Sequence, residues 1–319
     1  MTRRDLLALA AAPALAAPKT ALVSITFDCE MSAHYPTWEQ TEWNYRKGDL
    51  DDASKAYAVA VARRVAAAGG RMHFFVVGRV FEHPEVKWLQ EIHQLGHAIG
   101  NHTYDHVNVT ATEIVQLQHR FQRAPWLVAG KSPAQLIDDN IRLCTLAMKE
   151  RLGIAPNGFR TPGGFPNGLA DRPDLQNLLL SHGYKWISSK YPRHTLKPGT
   201  AAPQSGEIEA IVEQQEAAQP FRYPSGMLEI PMSPPSDVVT MRTGRWPRAD
   251  FRRAVKASLA WCIERGKVWD FLSHPSAIGV ADPKFEIIDM IIDTVRQAGP
   301  RARLVALDTV AEAFENSPA

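Results

Sequence analysis

Apolar and polar positions fall into two kinds of block along this chain: short apolar runs, and longer stretches with helical period. Residues 21–27 (ALVSITF) form an apolar run that ends on Asp28, as expected of a buried parallel strand delivering a polar side chain at its C-terminal end. Residues 53–68 predict a helix stopped by Gly69 and Gly70. Residues 72–77 (MHFFVV) predict a second strand, 84–95 a helix, and 97–101 a third, short strand. The stretch 113–152 reads as mostly helical, broken at Pro125 and Pro133. Further strands are predicted at 158–162, 184–189, 227–231, 268–273 and 303–307, with helices at 171–182, 249–265 and 284–298 and a short one at the end. Residues 31–52 are expected to form a long loop, and 191–226, rich in Pro, Gly, Gln and Glu, to wander over the surface. Strand alternating with helix argues for an α/β fold with a parallel sheet, closed or nearly closed into a distorted (β/α) barrel.

Composition narrows this further. With 319 residues and 45% hydrophobic content, the chain can bury a large core, and a barrel of this kind accounts for it as one domain. A net charge of +2 with no basic block gives no footprint for nucleic acid, and no apolar run is long enough for a membrane span. The opening MTRRDLLALAAAPALAAP has paired arginines, a short Leu/Ala stretch and an Ala-x-Ala ending. It reads as an export signal of twin-arginine type over residues 1–17, leaving 18–319 as the folded domain and placing the protein in the periplasm or outside the cell. Three cysteines without a C-x-x-C pair make no disulfide framework; Cys144 and Cys262, in helical patterns, read as small buried hydrophobes.

Polar residues gather at successive strand ends: Asp28, His102, Arg160 and His274. In a barrel these ends converge on one mouth, where catalysis is housed. His102 and His106 lie four residues apart; on a helix that spacing puts both imidazoles on one face, about 5–6 Å apart at Cβ, and suits two nitrogen ligands on one metal ion. The residue after the first histidine is Thr103 rather than the Glu of the H-E-x-x-H pattern, so a general base must come from elsewhere, and Asp28 offers one. Glu30 supplies a second acid beside it. The remaining histidines lack paired spacing and read as structural or surface groups, although His34, with Trp38, could touch substrate from the first long loop.

TFD-x-E at 26–30, FFVVG at 74–78, H-T-x-x-H at 102–106, R-T-P-G-G at 160–164 and L-S-H at 272–274 occur in the order of the NodB-type polysaccharide deacetylases, carbohydrate esterase family 4, which this chain resembles. The resemblance implies a distorted (β/α) barrel and a His-His-carboxylate metal site that hydrolyses acetyl groups on sugars. Carried onto this sequence, it makes His102 and His106 metal ligands and Asp28 the base. The family's second acid, its third ligand, falls at Cys29 here; Glu30 is assigned the ligand role, with a Cys29 thiolate as the competing assignment. Arg160 resembles the arginine that orients the base, the backbone N–H of Gly163 would face the oxyanion, and Leu272 would line the acetyl pocket. His274 matches the general acid that protonates the leaving amine; Asp237 is the best candidate for the acid that orients it.

The resulting expectation is a hydrolase dependent on a divalent metal, zinc first among the candidates, that removes N-acetyl (or O-acetyl) groups from a glycan. Three other readings stand beside it: an allantoinase-like hydrolase of a small cyclic amide, a non-catalytic glycan-binding barrel, and a two-His, one-carboxylate iron oxygenase, whose usual jelly-roll host does not match the alternation seen here. Nothing in the sequence names the glycan or the oligomeric state.

Overall fold

The computed structural model describes residues 20–32, 45–194, 199 and 201–315. The expected export signal at 1–17, and His34 and Trp38, lie outside the described residues. Strands β1 (Ala21–Cys29), β2 (His73–Val76), β3 (Ala98–Asn101), β4 (Gly158–Phe165) and β5 (Trp186–Lys190) alternate with helices α1 (Asp52–Ala67), α2 (Lys87–Gln94) and three further helices. The three are α3 (Ile114–Leu117), α4 (His119–Arg123) and α5 (Pro133–Leu152), and α6 (Pro173–Ser181) precedes β5. After β5 come α7 (Glu207–Glu213), β6 (Phe221–Arg222), β7 (Leu228–Glu229), α8 (Arg248–Arg265), β8 (Val268–Ser273), α9 (Pro275–Ala281), α10 (Glu286–Ala298), β9 (Ala302–Leu304) and α11 (Leu307–Glu315).

The sheet runs β6-β7-β5-β4-β3-β2-β1-β8, parallel except for the β6–β7 pair. It curls into the distorted barrel expected of the sequence. Its two ends are joined by the segment after β7: Met232 N–H donates to Lys190 O of β5 (2.9 Å) and Ser233 N–H to Asp270 O of β8 (3.0 Å). β9 pairs with the first half of β1, below the register at which β2 takes over from Thr26 onwards.

Alternation along β1 sorts its side chains onto two faces. Val23, Ile25, Phe27 and Cys29 join one apolar cluster with residues of α1, α8 and α10, such as Val61, Leu259 and Ile291. Ser24, Thr26 and Asp28, also buried, take the other face, so the barrel interior near its mouth is polar although the strand reads as a plain apolar run. Space inside is tight: a Cβ on Gly100 of β3 would come within 2.7 Å of the rings of both His73 and Phe75.

Local signals account for the long helical region. Ser132 and Gln135 form a capping box with Pro133 in the first turn of α5, and Gly153 closes the helix in the left-handed conformation. The region 191–226 departs from expectation. Ile211 and Gln215 are fully buried there, Ile211 packs with Trp246 and Ala254 of α8, and Gln215 donates to Pro234 O (2.6 Å). Its Pro, Gly and Gln content marks irregular backbone, which is here folded against α8 rather than spread over the surface. No described helix is long and apolar enough to cross a membrane.

Candidate active site

The centre of the site is the turn after β3, and it is not helical as the four-residue spacing suggested. Thr103 (φ 60°) and His106 (φ 57°) both sit in the left-handed region, uncommon for any non-glycine residue and an outlier for β-branched Thr103. A dense set of hydrogen bonds holds this conformation. Asn101 Oδ1 accepts from Thr103 N–H (2.7 Å), while its Nδ2 donates to Ile141 O (2.9 Å) and Tyr184 Oη (2.7 Å). Asn140 Oδ1 accepts from Asp105 N–H (2.7 Å), and Thr103 Oγ1 accepts from Val107 N–H (3.0 Å). The turn carries His106 back over His102, so the two rings meet edge to face with centroids 5.0 Å apart.

Glu30, one residue past β1, faces both rings. Its Oε2 lies 3.5 Å from His102 Nε2 and in direct contact with His106 Nε2. One ligand atom from each of Glu30, His102 and His106 falls within 4.8 Å of the others, and no other trio of His, Cys, Asp or Glu among the described residues is so arranged. His102 Nδ1 lies 3.0 Å from Arg160 O, an atom that can only accept, so Nδ1 carries the proton and Nε2 presents a lone pair. Burial pulls His106 down to about 4, which leaves it neutral near pH 7. Burial opposes the charge on Glu30, but His106, Lys47 and His102 outweigh it and hold the carboxyl well below its usual range. Buried Glu30 Oε2, without a well-formed hydrogen bond, thus faces two imidazole nitrogens in their ligand form. This donor set fits a divalent ion. Cys29 points the other way, into the apolar core, and burial raises its thiol well above the usual range; it does not join the group. Cys144 and Cys262 are buried too, as expected of small hydrophobes.

Asp28 stands beside this trio, its Oδ2 3.6 Å from His102 Nε2. Arg160, fully buried on β4, holds its other oxygen: Nη1 donates to Asp28 Oδ1 (3.2 Å) and to Thr26 Oγ1 (2.8 Å). The same guanidinium donates from Nη2 to Ser188 Oγ (3.1 Å) and to Asp270 Oδ2 (2.5 Å), and it lies over the Phe75 ring at 4.3 Å. Asp270 escaped the sequence reading. It sits mid-strand in the apolar-looking run VWDFLS of β8, and only the alternation of that strand would have aimed it inward.

Across the pocket is His274, directly after β8. Asp237 faces it, with Oδ1 2.9 Å from His274 Nδ1 and Oδ2 accepting from the His274 backbone N–H (2.7 Å) and Ser273 Oγ (3.0 Å). Burial works against an imidazolium there, yet Asp237 first, then Glu30 and Asp28, raise the His274 pKa above its ordinary value. His274 Nε2 is 3.8 Å from Glu30 Oε1, so the two halves of the site share one pocket of about 230 Å³. Gly163 (φ 80°) and Leu272 line its wall, as do Tyr191 and Met232. Lys47, which the sequence reading passed over, is buried against Glu30 Oε1.

Residues 49–187 match the model of the family described as polysaccharide deacetylase. Over that segment, 139 of the 319 residues, the chain is similar to the polysaccharide deacetylases. No curated protein matches it in sequence. Among solved structures, a Mycobacterium smegmatis protein assigned as a polysaccharide deacetylase is similar over 96% of this chain and 92% of its own, with a TM-score of 0.61 at 18% identity. A Pseudomonas aeruginosa PAO1 protein with the same assignment is similar over 98% of each chain, with a TM-score of 0.61 at 15% identity. At such identities the likeness speaks for the fold.

The segment that matches the polysaccharide deacetylase model holds His102, His106, Arg160 and Gly163. Asp28, Glu30, Asp237, Leu272 and His274 lie outside it and reach the pocket only through the curl of the sheet.

Proposed function

We propose that this protein is a metal-dependent hydrolase that removes acetyl groups from an acetylated glycan, N-acetyl groups first. The observation that carries this reading is one pocket with three kinds of group: the Glu30–His102–His106 trio, Asp28 held by Arg160, and His274 paired with Asp237. A divalent ion on the trio, zinc being the first candidate for two imidazoles and a carboxylate, supplies Lewis acidity that polarises the acyl carbonyl and makes water acidic near neutral pH.

The chain's own residues do the rest. Asp28 takes the proton from the attacking water, its orientation set by Arg160 Nη1. The developing oxyanion is given to the backbone N–H of Gly163, and the acetyl methyl to Leu272 on the pocket wall. His274, with Nδ1 engaged by Asp237, delivers a proton from Nε2 to the leaving nitrogen or oxygen. Acetate and the free amine or hydroxyl are the products. Export through the first 17 residues, a reading of the sequence pattern alone, would put the enzyme where such glycans lie.

The test pairs elemental analysis with acetate release from acetylated glycans. Asp28→Asn should keep its metal and lose activity by about 10²–10⁴-fold, as for a removed general base. His106→Ala should lose the metal as well. An Asp28→Asn protein that remains fully active, or a wild type that takes up no divalent metal, overturns the reading.

A further inference from the structure

The carboxylate of the metal trio sits where the sheet no longer holds the chain. Cys29, paired with Val76, is the last residue of β1 in register with β2, and Glu30 follows it. Strand alternation therefore cannot place Glu30 as it places Asp28, and a glutamate side chain has one more bond to rotate about than an aspartate. Glu30 is buried all the same, and its two oxygens have separate partners. Oε2 faces the two imidazoles, while Oε1 takes the Lys47 ammonium in direct contact.

Lys47 meets residues 30 and 31 at two points. Its Nζ donates to Glu30 Oε1, and its carbonyl accepts from Met31 N–H (2.8 Å). From the opposite side Ser276 of α9 donates its Oγ proton to Glu30 O (2.9 Å) and accepts from Ser32 N–H (2.8 Å). The stretch that carries Lys47 is itself built onto the 3-10 turn Gly78–Glu82 that follows β2. Arg79 Nη1 donates to Tyr45 O (2.8 Å), and Asp49 N–H donates to Arg46 O (2.7 Å). A Cβ on Gly48 would come within 2.3 Å of Arg79 Cβ, so the close approach requires glycine there. The same turn holds the histidines: Gly78 N–H donates to Thr103 O (2.9 Å) and Arg79 N–H to Tyr104 O (3.0 Å). One short turn thus ties the segment of Lys47 to the segment of His102 and His106.

We propose that Lys47 is a positioning residue for the metal ligand Glu30, its ammonium holding Oε1 so that Oε2 alone is offered to the ion. The proposal rests on the metal-hydrolase reading and adds a part that ligand spacing does not reveal. Outer partners of this kind orient ligand carboxylates and set metal affinity. The charge of Lys47 acts in the opposite sense, because an ammonium repels a cation held in the same pocket. The sign of the effect therefore decides between the two: a lysine that only adds charge weakens metal binding, and its removal tightens it.

The experiment uses the full chain, stripped of metal and titrated with Zn2+ and with Co2+ against a competing chromophoric chelator. Lys47→Met keeps the length of the side chain and loses the ammonium; the Kd for both ions should rise by about 10–100-fold, the range for a lost outer partner. Gly48→Ala keeps the ammonium but displaces the stretch that carries it, and should weaken binding in the same direction. The visible spectrum of the Co2+ form gives a second readout. With Oε1 released to bind as well, Lys47→Met should gain a ligand atom and absorb more weakly than wild type. Thermal unfolding of the metal-free chains shows whether each variant folds, and if Lys47→Met does not, Gly48→Ala carries the decision. Variants that bind as tightly as wild type, or more tightly, overturn the proposal. A wild type that binds neither ion removes the metal-hydrolase reading itself, whereas tight binding indifferent to Lys47 removes this proposal alone.

Discussion

Asp237→Asn tests whether the pair facing the metal trio is an acid for the leaving group. Each oxygen of Asp237 takes two donors: Oδ1 accepts from Val238 N–H (2.7 Å) and faces His274 Nδ1 (2.9 Å), while Oδ2 accepts from His274 N–H (2.7 Å) and Ser273 Oγ (3.0 Å). Whichever oxygen becomes an NH2, it points at a backbone N–H that cannot turn away. One buried donor left unpaired costs about 1–3 kcal/mol, and at roughly 2–4 °C per kcal/mol for a chain of this size the melting temperature should drop by several degrees. The chemistry should suffer more than the fold. Losing the carboxylate removes the first of the charges that hold the His274 imidazolium, and burial then acts with less opposition. The sign follows from the raised pKa: His274 must be protonated to act as acid, so activity is lost as pH rises through its folded value. In Asp237→Asn that alkaline limb should move to lower pH. With the acid impaired, kcat should fall by about 10²–10⁴-fold. The assay is a pH series of acetate release beside thermal unfolding and metal analysis. A variant with its metal, an unmoved alkaline limb and an unchanged kcat refutes the assignment of His274 and Asp237 as the acid pair.

Asp270→Ala leaves the buried Arg160 guanidinium with Asp28 as its one carboxylate, and should destabilise by about 2–4 kcal/mol, less than for a buried pair with no second partner; chemical denaturation measures it. Activity should fall with it, since Arg160 is then free to shift on Asp28. Far from the site, burial and the nearby Glu312 raise Asp308 to about 6, although its carboxylate accepts from Trp186 Nε1 (3.1 Å). Between about pH 4 and 6 the unfolded chain releases that proton while the fold retains it, so stability declines as pH rises through this window. Asp308 is partly exposed, which limits the decline to about 2 kcal/mol, and Asp308→Asn, which can still accept from Trp186, should flatten it in unfolding curves taken across that range.

The order of elements was legible because period and punctuation act locally. Apolar runs of strand length, helical stretches and Gly or Pro stops gave β8 at its observed bounds and α1 and α8 to within a residue. The strand-end polar residues Asp28, Arg160 and His274 were legible too, since a parallel sheet brings those ends to one mouth whatever the details. Local spacing failed at His102 and His106. Their proximity comes from two left-handed residues whose strain is offset by hydrogen bonds from Asn101, Asn140 and Gln118, partners that sequence distance hides.

What the sequence determined on its own is the parallel α/β architecture and which polar residues stand as candidates for ligand, base and acid at the mouth of the sheet. Tertiary structure decided how they meet. It turned Glu30 rather than Cys29 towards the imidazoles, since alternation on β1 sends Cys29 into the core. It put Asp237 against His274 and Asp270 behind Arg160, because a curled sheet converts separations of 37 and 110 residues into hydrogen bonds. The surroundings then assigned the charge states: burial lowers His106, while His106, Lys47 and His102 hold the Glu30 carboxyl low against burial, which only a three-dimensional field can do.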